Sequence, residues 1–226
     1  MIPELSPLKQ PIAIRPEFVA REDTSFRVQQ EGKGAASTKF TIFSPENDVP
    51  KDEKGAIPET KKSPATLISV DGKYSSADER RSFLDASGLP LFDLYHTPRG
   101  TTWHIEVPGG NSPSLAFIEP QDSRMKDDYK VQFRNAAAEG GQDVLLRVQG
   151  QDIWKLRTNV LLGDKVVMTT KRLDKLSVYL PGSKVAWQVD VAEGMDMALA
   201  AAIVVVMGAN MYTNGRSRGR IYIGKE

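Results

Sequence analysis

Hydrophobic and polar residues alternate along most of the chain. Trp103, Ile105 and Val107 are interleaved with His104 and Glu106, and Tyr129, Val131 and Phe133 with Lys130 and Gln132. Val185, Trp187, Val189 and Val191 are interleaved with Ala186, Gln188 and Asp190. Successive side chains of a strand point to opposite faces, so a period of two predicts strands with one wet and one buried face. The same reading predicts strands over 25–30, 39–44, 65–70, 81–85, 90–96, 114–120, 144–150, 153–158, 165–170, 177–180 and 220–224. Turn signals separate them: Asp71-Gly72, Ser87-Gly88, Pro108-Gly109-Gly110, Gly140-Gly141, Gly163-Asp164 and Pro181-Gly182. Many short strands at this spacing describe a sandwich or a barrel.

Two segments break the pattern. Residues 44–64 hold Pro45, Pro50, Pro58 and Pro64, and four lysines face five acids with almost nothing to bury. That composition predicts a flexible surface loop. The 44 residues before it are too few to bury a core of their own, so residues 1–226 are expected to form a single domain. Residues 194–212 are the other exception, because 197–207 carry no polar residue on any face. Such a helix must be surrounded by apolar partners, and a membrane span needs about 20 apolar residues. With Asp196 at one end and Gly208, Asn210 and Asn214 at the other, the segment reads as a buried helix, and the middle of a closed barrel would hold it.

Composition narrows the function classes. Thirty basic residues against 29 acidic ones give a net charge of +1, so no global field draws nucleic acid, and an anionic partner must be met by a local patch. The absence of cysteine removes disulfides, thiolate metal sites, cysteine nucleophiles and thioester lipid anchors together. Residues 1–10 do not read as a secretory signal, and no Asn-x-Ser/Thr acceptor is usable, which favours the cytoplasmic side of a membrane.

The string from Trp187 to Ala200, Trp-Gln-Val-Asp-Val-Ala-Glu-Gly-Met-Asp-Met-Ala-Leu-Ala, resembles the closing strand and central helix of the LURP-one-related family. Val70-Asp-Gly72 and then Arg80-Arg-Ser-Phe-Leu84-Asp-Ala-Ser-Gly88-Leu-Pro-Leu91 resemble its strand, basic turn and hairpin, in the same order. That family belongs to the tubby C-terminal-like superfamily, which includes the phospholipid scramblases. The resemblance implies a mainly β fold, a closed antiparallel barrel of about twelve strands around one buried C-terminal helix. Residues 44–64 depart from it, filling a place where relatives turn tightly. Tubby proteins bind phosphoinositide head groups on the barrel's outside through basic and hydroxyl residues before a strand. Lys61, Lys62 and Ser63 are the matching positions, and Pro64 departs from the pattern. The scramblase branch uses an acidic calcium-binding stretch, for which there is no match, and palmitoylated cysteines, which this chain lacks.

No constellation points to catalysis. His96, at a strand end, and His104, on a polar face, read as solvated strand residues without the partners a metal or triad site needs. Asp127 and Asp128 read as turn residues, and Asp196 as a partner of the helix dipole. No enzymatic activity, cofactor or metal is expected. Other basic clusters are Arg80-Arg81, Lys171-Arg172 with Lys175, and Arg216, Arg218 and Arg220, which would share one face if extended. The expected role is a peripheral binding or tethering module for anionic phospholipid head groups. The alternatives are a protein scaffold acting through 44–64 and a scramblase-like phospholipid transporter.

Overall fold

A computed structural model describes residues 4–31, 39–44, 65–72, 79–97, 100–110, 113–121, 126–173 and 185–217. Among them lie twelve strands: β1 (Thr24–Glu31), β2 (Lys39–Phe43), β3 (Thr66–Gly72), β4 (Arg81–Asp85), β5 (Pro90–His96), β6 (Trp103–Glu106), β7 (Ala116–Pro120), β8 (Asp128–Arg134), β9 (Asp143–Gly150), β10 (Arg157–Leu162), β11 (Lys165–Arg172) and β12 (Ala186–Val191). One helix, α1 (Met197–Ser217), follows. Each strand pairs with its sequence neighbours, and β12 returns antiparallel to β1 to close the barrel. The period of two is visible in β8, where Tyr129, Val131 and Phe133 are buried while Gln132 and Arg134 face out.

Helix α1 runs along the barrel axis. Residues 198–207 are each at most 4 % exposed. A Cβ on Gly208 would stand 3.1 Å from Trp187 of β12 and 3.3 Å from Phe40 of β2. Two residues on, Asn210 Oδ1 accepts the Trp103 indole N–H of β6 at 3.4 Å, and Arg172 of β11 reaches the Met211 sulfur. Only an axial helix meets strands from such separate parts of the ring. Each Leu, Ile or Val it buries contributes about 1.5–3 kcal/mol, so strands and helix form one core that neither could make alone. Among the described residues, no helix is long and apolar enough to cross a membrane.

The barrel has two distinct ends. At the floor, where α1 begins, residues 4–20 cross beneath the strands. Their backbone bonds to Val166, Glu193, Gly194 and Met195, and it carries a short 3-10 turn at Pro16–Phe18. At the rim, toward which α1 runs, lie the last residues of β1, β3, β5, β7, β9 and β11.

The structure corrects several expectations. The helix starts three residues later than 194 and runs beyond 212 to Ser217. Residues 153–156 are not strand. They form a turn, and β10 begins only at Arg157. Asp71 and Gly72 still belong to β3. The predicted strands 177–180 and 220–224, and the predicted loop from Pro45 to Pro64, lie outside the described residues.

Candidate functional site

At the floor, Asp196 is fully buried immediately before α1. Its Oδ1 accepts the Ala198 and Leu199 backbone N–H groups at 2.7 and 3.2 Å, capping the helix, while Oδ2 accepts those of Ile14 and Arg15 at 3.0 and 2.9 Å. One carboxylate thus satisfies helix donors that would otherwise be orphaned and ties the N-terminal segment to them. Burial pushes this carboxyl up to about 6, against the pull of the four N–H donors. Asn135 does similar work, accepting Ala13 N–H and donating to the Pro11 carbonyl, both at 2.9 Å. The bonds of Asp196 and Asn135 all go to other parts of the same chain, so these two side chains are architecture.

The rim is built differently. Glu79 and Lys155 are the two non-glycine residues among those described with positive φ, 47° and 55°, and both stand here. Left-handed backbone costs energy and persists only where its surroundings impose it. Lys155 Nζ reaches 3.2 Å to Oδ1 of Asp127, which is 3 % exposed, so Asp127 is a buried ion-pair partner rather than a plain turn residue. Burial pushes the Asp127 carboxyl up and Lys155 pulls it back. Glu79 pairs with Arg81 at 3.3 Å and His96 at 3.8 Å. His96 is therefore not a solvated residue. It is half-buried, edge-on to Trp103 at 4.7 Å, with Arg81 4.8 Å from the same indole.

The turn between β9 and β10 is rigidly presented. The Asp152 carboxylate accepts the backbone N–H groups of Trp154, Leu156 and Arg157 at 2.9, 3.1 and 3.0 Å. Gly150 N–H bonds to the Asp127 carbonyl at 2.6 Å, an approach so close that a Cβ would stand 2.7 Å from Asp127 N. The Leu156 carbonyl accepts Arg172 N–H at 2.8 Å, pinning the turn to β11. The turn leaves Ile153 48 % and Trp154 52 % exposed, and Leu173, next to Arg172, is 43 % exposed.

Just below, on the outer wall, Arg157 stands opposite Lys171, Lys171 opposite Gln188, and Gln188 opposite Arg27. The row crosses four strands and carries three exposed cations that make no ion pair among the described residues. The nearest acid on β12, Asp190, is engaged by Ser25, Thr169 and Gln188.

The predicted site residues fare unevenly. Lys61, Lys62 and Ser63 lie outside the described residues, in a segment whose flanks, Ser44 and Ala65, bond to each other at the floor end. Arg216 falls in the last turn of α1, so its backbone is helical rather than extended, and Arg218 and Arg220 lie beyond. The two expected clusters therefore join the barrel at opposite ends. Strand geometry splits the adjacent basic pairs. Arg80 lies over Tyr95 and pairs with Asp93 outside, whereas Arg81 turns inward. Lys171 is exposed, whereas Arg172 is buried. Sequence reasoning missed the Ile153-Trp154 turn and the cationic row, although Gly150-Gln-Asp152 is a turn signal.

A second feature lies on the wall, a groove of about 460 Å³ lined by Phe117, Gln132, Arg134, Asp143 and Leu145 among others.

A twelve-stranded antiparallel barrel filled by an axial apolar helix defines a tubby-like barrel protein. The chain belongs to the LURP-one-related family, whose model matches residues 24–208. A solved structure of a protein from Arabidopsis thaliana shares the fold at a TM-score of 0.56 and 17 % identity, covering 87 % of this chain and 96 % of that one. No curated protein matches the sequence significantly.

Proposed function

We propose that the protein is a non-catalytic tubby-like module that tethers to an anionic, phosphoinositide-containing membrane surface on its cytoplasmic side. The observation that carries this reading is the row Arg157, Lys171 and Arg27, three exposed cations that make no ion pair among the described residues, running from Arg157 at the rim to Arg27 midway along β1. Like charges opposite one another across strands are destabilising, so such a row has a stability cost that an external anion would offset. Each basic residue near an anionic leaflet contributes about 1 kcal/mol, which gives three residues weak, reversible attachment. Because α1 fills the lumen, the outside of the barrel is where a ligand would bind. The scramblase-like reading would require α1 to leave that core.

The test is co-sedimentation of the whole protein with phosphatidylcholine vesicles, with and without phosphatidylinositol bisphosphate, at low and high salt. Binding that needs the phosphoinositide and weakens with salt supports the reading. A protein that stays in the supernatant under every condition overturns it. The groove at Phe117 and Leu145 favours a second reading, a protein scaffold. That reading predicts that Leu145→Glu abolishes capture of a protein partner and leaves vesicle binding unchanged.

A further inference from the structure

We infer that the Ile153-Trp154 turn, with Leu173 beside it, is an apolar anchor that enters the interfacial layer of an anionic bilayer and sets the barrel down rim first. The inference rests on the membrane reading and adds to it a contact and an orientation.

Four observations converge on this turn. The first is its chemistry: a half-exposed Trp beside a half-exposed Ile, with Leu173 close by, in a chain whose other two tryptophans, Trp103 and Trp187, are buried. Trp is favoured at the boundary between headgroups and acyl chains, where its ring sits in apolar surroundings and its N–H stays wet. The second is rigidity. Asp152 holds three backbone N–H groups of the turn, Lys155 is held in left-handed backbone by the ion pair to Asp127, and Gly150 locks against the neighbouring loop. A turn held this firmly with its apolar side chains outward loses little conformational entropy when it binds. The third is charge complementarity. Arg157 immediately follows the turn and Lys171 stands opposite it, so cations flank the apolar tip on the barrel wall and meet phosphates as the tip enters. The fourth is position, since the rim is also the end at which α1 delivers Arg216. An apolar tip with a basic collar is the composition of an interfacial anchor, whose attachment grows with buried apolar area and with attraction to anionic lipid. Arg157 and Lys171 make no ion pair among the described residues, and an anionic bilayer offers phosphates to them and an apolar layer to the tip at once.

The experiment uses the full chain and vesicles of phosphatidylcholine, phosphatidylserine and phosphatidylinositol bisphosphate, some with brominated acyl chains. Because Trp103 and Trp187 are buried, vesicle-dependent change in indole emission reports on Trp154. Expected are a blue shift and quenching by brominated chains in the native protein, with neither in Trp154→Phe, which still binds. Ile153→Ser with Trp154→Ser should weaken vesicle binding roughly tenfold, as loss of an interfacial apolar contact requires. Leu173→Ser, away from the turn's hydrogen bonds, gives an independent reading in the same direction should the double variant unfold. Vesicle binding with unquenched Trp154 and no loss in either serine variant overturns the anchor while leaving the membrane reading intact. Absence of vesicle binding in the native protein overturns both.

Discussion

The floor and rim of the barrel are both polar, but their polar groups are used differently. At the floor, Asp196 and Asn135 bond almost entirely to backbone N–H and carbonyl groups of residues 11–15 and the start of α1. At the rim, charged side chains pair with one another around α1's exit, and both left-handed non-glycine residues of the described chain occur. Exposed apolar side chains occur at both ends, Leu89 and Val107 at the floor and Ile153, Trp154 and Leu173 at the rim. A buried carboxylate whose bonds are all internal has nothing left to offer a ligand. The rim turn combines left-handed Lys155 with a half-exposed Trp154, and strain tends to collect where a surface has a task. Polarity by itself therefore does not mark a functional end. What sets the rim apart is an apolar turn flanked by Arg157 and Lys171, cations that make no ion pair among the described residues.

The largest expected effect breaks the floor. Asp196→Ala removes the helix cap and strands the N–H groups of Ile14 and Arg15 in a buried site. Losing a cap costs about 1 kcal/mol, and each stranded buried donor about 1–3 kcal/mol more. A loss of about 4 kcal/mol is expected in urea unfolding. Any folded fraction should still bind vesicles, since the rim is untouched. A loss under 1 kcal/mol would show that water or a rearranged N-terminal segment replaces the carboxylate.

Two glycines make a matched pair for the next test. Gly194 sits at φ 89° with space for a Cβ only 2.9 Å from the Leu8 Cβ, whereas Gly150 has ordinary backbone but faces Asp127 at 2.7 Å. Gly194→Ala combines backbone strain with a clash and should cost about 2 kcal/mol without changing vesicle affinity. Gly150→Ala should cost about 1–2 kcal/mol as an overpacking change, and it should also weaken vesicle binding because it pries the Trp154 turn from the neighbouring loop. Equal affinity in both variants would separate the turn from binding.

These differences also explain what was legible beforehand. The strands around Trp103, Tyr129 and Trp187 were readable because alternation is local, and α1 because 197–207 offer no polar face. The cationic row was not, since it depends on register between β10, β11, β12 and β1, which no local pattern encodes. Ile153, Trp154 and Leu156 mimic strand composition, but Asp152 takes the N–H groups of Trp154 and Leu156 into a turn, and β10 starts at Arg157 instead. The basic pairs Arg80-Arg81 and Lys171-Arg172 looked like patches as adjacent letters. Strand geometry alone implies that one member of each faces inward.

The charge row gives a test in which stability and binding move in opposite directions. Lys171→Gln removes one of two like charges facing each other across β10 and β11. It should raise stability by up to about 0.5 kcal/mol and weaken anionic-vesicle binding roughly fivefold, the equivalent of about 1 kcal/mol. Arg27→Gln should weaken binding by a similar factor. Loss of stability in Lys171→Gln would mean that the lysine has a structural partner and that the row is not held in reserve for an external anion.

The smallest effect concerns the rim's own ion pair. The Glu79 carboxylate, 3.8 Å away, raises the pKa of His96, and the imidazole lowers that of Glu79. A raised histidine stabilises the fold below its ordinary value of 6.5, and that contribution is lost as pH rises through the elevated value. A lowered carboxylate stabilises above its ordinary 4.5, and that contribution is lost as pH falls through the depressed value. The pair is therefore strongest between these two ordinary values. Its exposure keeps the gain below about 1 kcal/mol. Thermal unfolding of the native protein and His96→Gln should differ most near the middle of that window and converge at alkaline pH. A difference that persists undiminished there would assign His96's contribution to its packing on Trp103 rather than to its charge.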